Sequence, residues 1–274
     1  MKTKEYVFGE HILRTALTKS GWQGVIVGDA EIKFAAPTES ELIKKMQIAV
    51  HKSQKDFVGW DGALERFTDL FPNAFLDNNY IGDGSFGEQN YKRAVSSQMK
   101  ETFSKVGWRD VENPPEVALK LFRQSNLIDK FTKTAIQNVL RGPSAMEFLT
   151  CCEEVTDEDY ESAWQRLQKA EDLKPLRKWP ALTYLSFFWC PDKHVFLKPE
   201  FTKEFSKRVG HNFHIEYDPQ PNTNTYLSLI DLASTTREKC AGLPGGDKID
   251  NIDAHSFMWA VIDYTAQDVG PPEK

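Results

Sequence analysis

No run in this chain approaches the roughly 20 consecutive apolar residues that a membrane-spanning helix needs, so no membrane partner is expected. The N-terminal Met1-Lys2-Thr3-Lys4-Glu5-Tyr6 carries positive residues with no apolar stretch behind them, which is not the pattern of a secretory leader. The expected location is cytoplasmic. Cysteine is scarce as well: four among 274 residues, irregularly spaced, do not make a disulfide framework. Cys151 and Cys152 are adjacent, a poor geometry for an ordinary bridge, and they lack both C-x-x-C spacing and a basic neighbour that would lower a thiol pKa. They are expected as reduced thiols packed inside a helix. A surplus of basic charge is also missing, and the formal charge of −6 argues against a broad surface that holds nucleic acid by phosphate neutralisation. No internal repeat or low-complexity tract is apparent.

What the chain does have is the composition of an ordinary globular protein. With 40% hydrophobic and 27% charged residues it can bury a sizeable core, as one large or two modest domains. Helical signals dominate. Thr38-Glu39-Ser40-Glu41 is a capping-box pattern, and Leu42, Met46, Ala49, Val50 and Phe57 follow at helical spacing, predicting a helix over about 39–57. Thr156-Asp157-Glu158-Asp159 reads as a second box, ahead of Ala163, Trp164 and Leu167. Pro199 and Gly210 bracket Phe201, Phe205 and Val209, matching the preference for proline at helix starts and glycine just past helix ends. A further helix carries Tyr226, Leu229, Ile230 and Ala233, with Arg237 and Lys239 near its C-terminus. Shorter helices are expected over 89–103, 117–122, 128–140, 145–152, 181–188 and 253–262.

The good strand signal is early. Residues 24–34 form two β-rich runs around Gly28-Asp29, a hairpin pattern that must pack on helices to be stable. Phe213 to Tyr217 is a weaker strand candidate. The fold class expected is mainly α, a helical bundle-like architecture with a small N-terminal β-hairpin. The Pro114-Pro115 pair marks the expected boundary between an N-terminal region, 1–113, and a helical, aromatic-rich C-terminal region, 114–274.

Several constellations have the residue types of a functional site. Gly82, Gly84 and Gly87 have the G-x-G-x-x-G spacing and resemble the glycine-rich phosphate loop of protein kinases, but the catalytic His-Arg-Asp and the metal-binding Asp-Phe-Gly do not follow, so an ordinary loop is the preferred reading. Asp29, Glu31 and Lys33 resemble the acid-x-Lys element of the restriction-endonuclease superfamily, in which carboxylates hold a divalent metal and a lysine supports the attacking water. A cross-strand salt-bridge face explains the same residues. Cys190, His194, His211 and His214 are the ligand types of a tetrahedral zinc, although not at the spacing of a finger. Lys174, Arg177, Lys178 and Trp179 combine positive charge with an aromatic, the ingredients of a single-strand nucleic-acid patch. Asp250, Asp253, His255 and Ser256 suggest an acid/base cluster, but neighbouring helix residues face different ways, and Asp253 also suits an N-cap or first-turn acid.

Leu70-Phe71-Pro72 with Tyr80 and Tyr91-Lys92, then Trp179-Pro180, His194 to Pro199, and Ile249 to Asp253 leading to Ser256-Phe257-Met258-Trp259, look like a group of prokaryotic cytosolic proteins with no assigned activity. That resemblance spans most of the chain and implies no catalytic residue. The functional expectation is an interaction module without its own catalysis, meeting a protein partner through the aromatic-rich C-terminal region. The alternatives are a metal-dependent hydrolase or nuclease, with zinc as the cofactor the histidines would suit, and a nucleic-acid accessory protein.

Overall fold

The computed structural model describes residues 3–8, 11–27, 29–53, 57–81, 89–103, 108, 111–124, 127–264 and 269. It is mainly helical, with one small antiparallel sheet at the N-terminus. The chain divides into two compact units, Met1–Asp56 with Tyr264–Asp268, and Phe57–Asp263 with Val269–Lys274. Pro114 opens a helix inside the second unit, a place proline favours because the first turn needs no amide donor.

In the first unit β1 (Thr3–Phe8), β2 (His11–Thr18), β3 (Gly21–Ile26) and β4 (Asp29–Ala36) form a meander in the order β1-β2-β3-β4, followed by α1 (Glu39–Ser53). The predicted hairpin is the β3–β4 half of this sheet. Asp29, expected in the turn, begins β4 opposite Ile26, where the register shifts. On β2 the alternation is readable in retrospect: Leu13 and Thr15 are buried while Ile12 and Arg14 are exposed. Leu13, Ile26, Ala36, Leu42 and Met46 make the core, with Tyr6, Trp22 and Phe34 packed around it.

Helix α1 starts where the capping pattern predicts, with the Glu41 amide donating to Thr38 Oγ1 at 3.3 Å. Glu39 then ties the helix to the sheet, accepting from Lys4 Nζ at 2.7 Å, Tyr6 Oη at 2.9 Å and Thr15 Oγ1 at 3.1 Å. Gly24 permits the close approach of helix and strand, since a Cβ there would lie 2.6 Å from Met46 Sδ and 2.9 Å from the Arg14 carbonyl oxygen.

The second unit contains α2 (Gly59–Leu70), α3 (Asn78–Ile81), α4 (Asn90–Phe103), α5 (Pro114–Gln124), α6 (Lys130–Leu140), α7 (Ala145–Thr156), α8 (Tyr160–Lys169), α9 (Trp179–Trp189), α10 (Pro199–Val209), α11 (Phe213–Glu216), α12 (Thr223–Cys240) and α13 (Asn251–Asp263). Short 3-10 segments interrupt the series at Ala74–Leu76, Glu171–Leu176 and Gly246–Lys248. Helices α9 and α13 are buried along nearly their whole length, as expected of helices that are apolar on every side. Helices α4 and α7 pack on α9, and α10 and α12 on α13.

Two local expectations change. Phe213 to Glu216 is a single helical turn rather than a strand, with the Phe213 side chain buried. Thr156 closes α7 instead of opening α8, donating from Oγ1 to the Cys152 carbonyl at 2.8 Å, and Asp159 caps α8 by accepting from the Ser162 amide at 3.4 Å. A threonine hydroxyl that reaches the preceding turn satisfies itself inside a helix, so a capping pattern can fall at a C-terminus.

Candidate functional site

The acids at the start of α13 do meet other charged groups, and the result is an internal tie. Asp250 caps the helix, accepting from the Ile252 amide at 2.8 Å. Arg93 of α4 reaches both carboxylates, donating to Asp250 and to Asp253. Tyr80 Oη of α3 donates to Asp253 Oδ1 at 2.9 Å. Burial pushes the Asp253 carboxyl above its ordinary range, and the charge of Arg93 opposes that push. One turn further on, Lys92 Nζ donates to Ser256 Oγ at 2.8 Å, and both side chains are fully buried.

His255 faces another way. Its ring lies among Phe187, Phe196 and Phe201, at centroid distances of 5.5, 5.6 and 5.2 Å, and neither ring nitrogen has a hydrogen-bond partner among the described residues. Burial, reinforced by the charges of Lys92 and Lys198, drives its pKa well below the ordinary histidine value, so the ring is neutral. His255 and Ser256 therefore form no catalytic pair. Tyr80, Arg93 and the two aspartates bind α3, α4 and α13 together.

The residues suited to zinc do not converge. His194 is buried, with Nε2 3.0 Å from the Thr156 carbonyl and Nδ1 3.2 Å from Tyr226 Oη. A carbonyl only accepts, so Nε2 carries the proton and Nδ1 accepts from the tyrosine, which leaves no lone pair for a metal. His211 accepts the Phe213 amide on Nδ1 at 3.1 Å and turns Nε2 toward Asp231, at 3.1 Å. His214 Nδ1 lies 2.7 Å from the His211 carbonyl, closing the turn after α10. Cys190 is half-buried, and burial raises its thiol pKa. Among the described residues no group of three or more His, Cys, Asp or Glu side chains is arranged to hold a metal ion.

The basic patch is also partly spent on the fold. Arg177 donates from its guanidinium to the carbonyls of Leu167, Gln168 and Ala170, satisfying the free C-terminal end of α8. Trp179 is buried and donates from Nε1 to the Asp218 carbonyl at 2.8 Å, so it offers no face for a base to stack on. Lys174 and Lys178 remain exposed. In the N-terminal unit Lys33 is exposed on β4, and the side chains of Asp29 and Glu31, like Gly82, Gly84 and Gly87, lie outside the described residues. Cys151 and Cys152 are core thiols, and burial pushes the pKa of Cys151 up to about 12.

Most aromatics of the C-terminal segment are core. Trp179, Phe187, Phe188, Phe196, Phe205 and Phe213 are all buried. Among the described residues the one exposed aromatic side chain is Phe131, 85% accessible, on α6. It stands at a surface groove of about 780 Å3 that runs along α6 and is closed on its far side by the turn between α6 and α7 and by the 3-10 turn Glu171–Leu176. Phe131, Ala135, Val139, Pro143 and Pro175 supply its apolar lining, and Thr134, Asn138 and Ser144 its uncharged polar groups. Lys130 and Asp172 bring charge.

Helix α6 is held in register by Asp129, which accepts from the Phe131 amide at 2.9 Å and the Thr132 amide at 3.0 Å. Its core face is Thr132, Ile136, Val139 and Leu140, at the spacing of one helical stripe. Phe131 and Ala135 lie beside that stripe rather than on it. A large apolar residue outside the core stripe is the readable signal for this groove; the helix expected over 128–140 carries no assignment of its faces.

No family model matches this chain, and no curated protein and no solved structure matches it. Among the described residues no helix is long and apolar enough to cross a membrane.

Proposed function

We propose that this chain works by binding rather than by catalysis, and that its recognition surface for a protein partner is the α6 groove. The observation that carries this reading is Phe131, 85% exposed at the edge of a groove of about 780 Å3 with an apolar floor. Sites that take ligands are concave and mostly apolar, with a few polar groups to orient what enters. The groove has that composition. An exposed aromatic beside an apolar cleft is also the usual anchor of a protein interface. The buried ion-paired cluster at α13, by contrast, has its partners already in place. A cytosolic setting suits four cysteines that are all free thiols.

The experiment is selection of a random peptide library against the whole chain and against Ala135→Arg, whose long side chain would fill the middle of the groove. Peptides enriched on the natural chain should bind the variant at least about tenfold more weakly, a loss on the scale of one blocked anchor site, with the melting temperature unchanged. Equal binding by a folded Ala135→Arg chain would remove the groove as the recognition surface.

A further inference from the structure

We infer that the α6 groove selects a short extended peptide of bipolar charge, with an acidic end over Lys130, a basic end over Asp172, and apolar side chains between them. This rests on the binding reading given above and names the class of ligand. The two charges stand at opposite ends of the groove. Lys130 is the first residue of α6, whereas Asp172 accepts from Ser144 Oγ at 2.9 Å, beyond the last turn of that helix. Lys130 is exposed and has no ion pair among the described residues. Between them the lining of Phe131, Thr134, Ala135, Asn138, Val139 and Pro143 is uncharged.

The backbone reinforces that polarity. A helix carries partial positive charge at its N-terminus and partial negative charge at its C-terminus, so α6 favours an acid at its Lys130 end and a base at its Asp172 end. Asp129, the acid next to Lys130, is turned to the helix itself: Oδ1 accepts the Phe131 and Thr132 amides, and Oδ2 accepts Thr132 Oγ1 at 2.6 Å. The 11 residues of α6 rise through about 16 Å at ~1.5 Å each. An extended segment covers that span with about five residues at ~3.3 Å each. The ligand implied has an acid and a base flanking about three residues, the apolar ones resting on Phe131 and Ala135.

Because an extended peptide can lie in either direction, the test reads charge composition rather than charge order. A random peptide library is selected in parallel on the natural chain, Lys130→Glu, Asp172→Lys and Ala135→Arg, each verified as folded by its melting curve. The natural chain should enrich peptides carrying one acid and one base around an apolar centre. Lys130→Glu should enrich peptides with a base at both ends, and Asp172→Lys peptides with an acid at both ends. A synthetic peptide lacking its acid should bind the natural chain about two- to fivefold more weakly, the scale of an exposed ion pair. Charge composition indifferent to both charge reversals, with binding still lost in Ala135→Arg, would overturn the bipolar ligand and leave the groove standing. Enrichment that survives in Ala135→Arg would overturn both.

Discussion

The ammonium of Lys92 and the hydroxyl of Ser256 meet at 2.8 Å with both side chains fully buried, joining α4 to α13 across 164 residues of chain. A buried lysine held by a hydroxyl depends on its acceptors, because removing an acceptor costs more than the bond itself contributes. Ser256→Ala is therefore expected to destabilise the second unit by about 1–3 kcal/mol, the scale for removing one acceptor from a buried donor. In a double-mutant cycle with Lys92→Met, chemical denaturation should give a combined loss smaller than the sum of the two single losses. Additive losses would separate the two residues energetically.

His255 makes stability depend on pH in a definite direction. Its folded pKa is far below the ordinary histidine value of about 6.5. Below that value the unfolded chain takes up a proton that the folded chain refuses. The stability is thus complete above pH ~6.5 and declines as the pH falls toward the folded pKa. Replacing His255 with leucine removes the group while keeping the site apolar. Between pH 7 and pH 5 the natural chain should lose up to about 2 kcal/mol more than the variant, from ~1.4 kcal/mol per pH unit. His194, whose pKa is also lowered by burial, is present in both proteins, so the difference isolates His255. Parallel pH profiles would contradict this.

Gly24 is the position where the N-terminal sheet admits its helix. A methyl group there would meet Met46 Sδ at 2.6 Å, the Arg14 carbonyl at 2.9 Å and Leu42 Cδ2 at 3.2 Å. The backbone carbonyl cannot move aside as a flexible side chain can. Gly24→Ala should cost about 1–3 kcal/mol, as overpacking usually does. Hydrogen exchange should reveal the loss in α1 and β3, with α9 and α13 unchanged; undisturbed exchange in α1 would show that the contact is slack.

Thiol reactivity should separate the four cysteines. Cys151, Cys152 and Cys240 are buried, and burial raises the pKa of each, whereas Cys190 is half-buried. A thiol reagent should modify Cys190 first in the native protein and the other three only on unfolding. Fast native labelling at Cys151 would mean that α7 opens.

The helices of this chain are legible because their signals are local. Leu42, Met46 and Ala49 repeat at helical spacing behind a threonine cap, and Pro199 and Gly210 mark both ends of α10. Strands β1 and β2 are less legible because each is stable only in its pairing, and Lys4, Glu5 and Arg14 interrupt their apolar pattern. The cluster at α13 could be named only in half. Asp250, Asp253, His255 and Ser256 are neighbours in sequence, but Tyr80, Lys92 and Arg93 reach them from more than 150 residues away, as the 173-residue separation of Tyr80 from Asp253 illustrates. The dense aromatics from Trp179 onward point to recognition or to core with equal force, since sequence does not report which side of a helix meets solvent. Most of them are buried, and the exposed Phe131 becomes the more informative aromatic.

The most direct measurement replaces Phe131 with a fluorinated phenylalanine and follows its fluorine resonance as a library-selected peptide is titrated into the whole chain. Saturable movement of that resonance, absent in Ala135→Arg, is the result expected if the groove is the binding surface. A peptide that binds while the resonance stays fixed would contradict it.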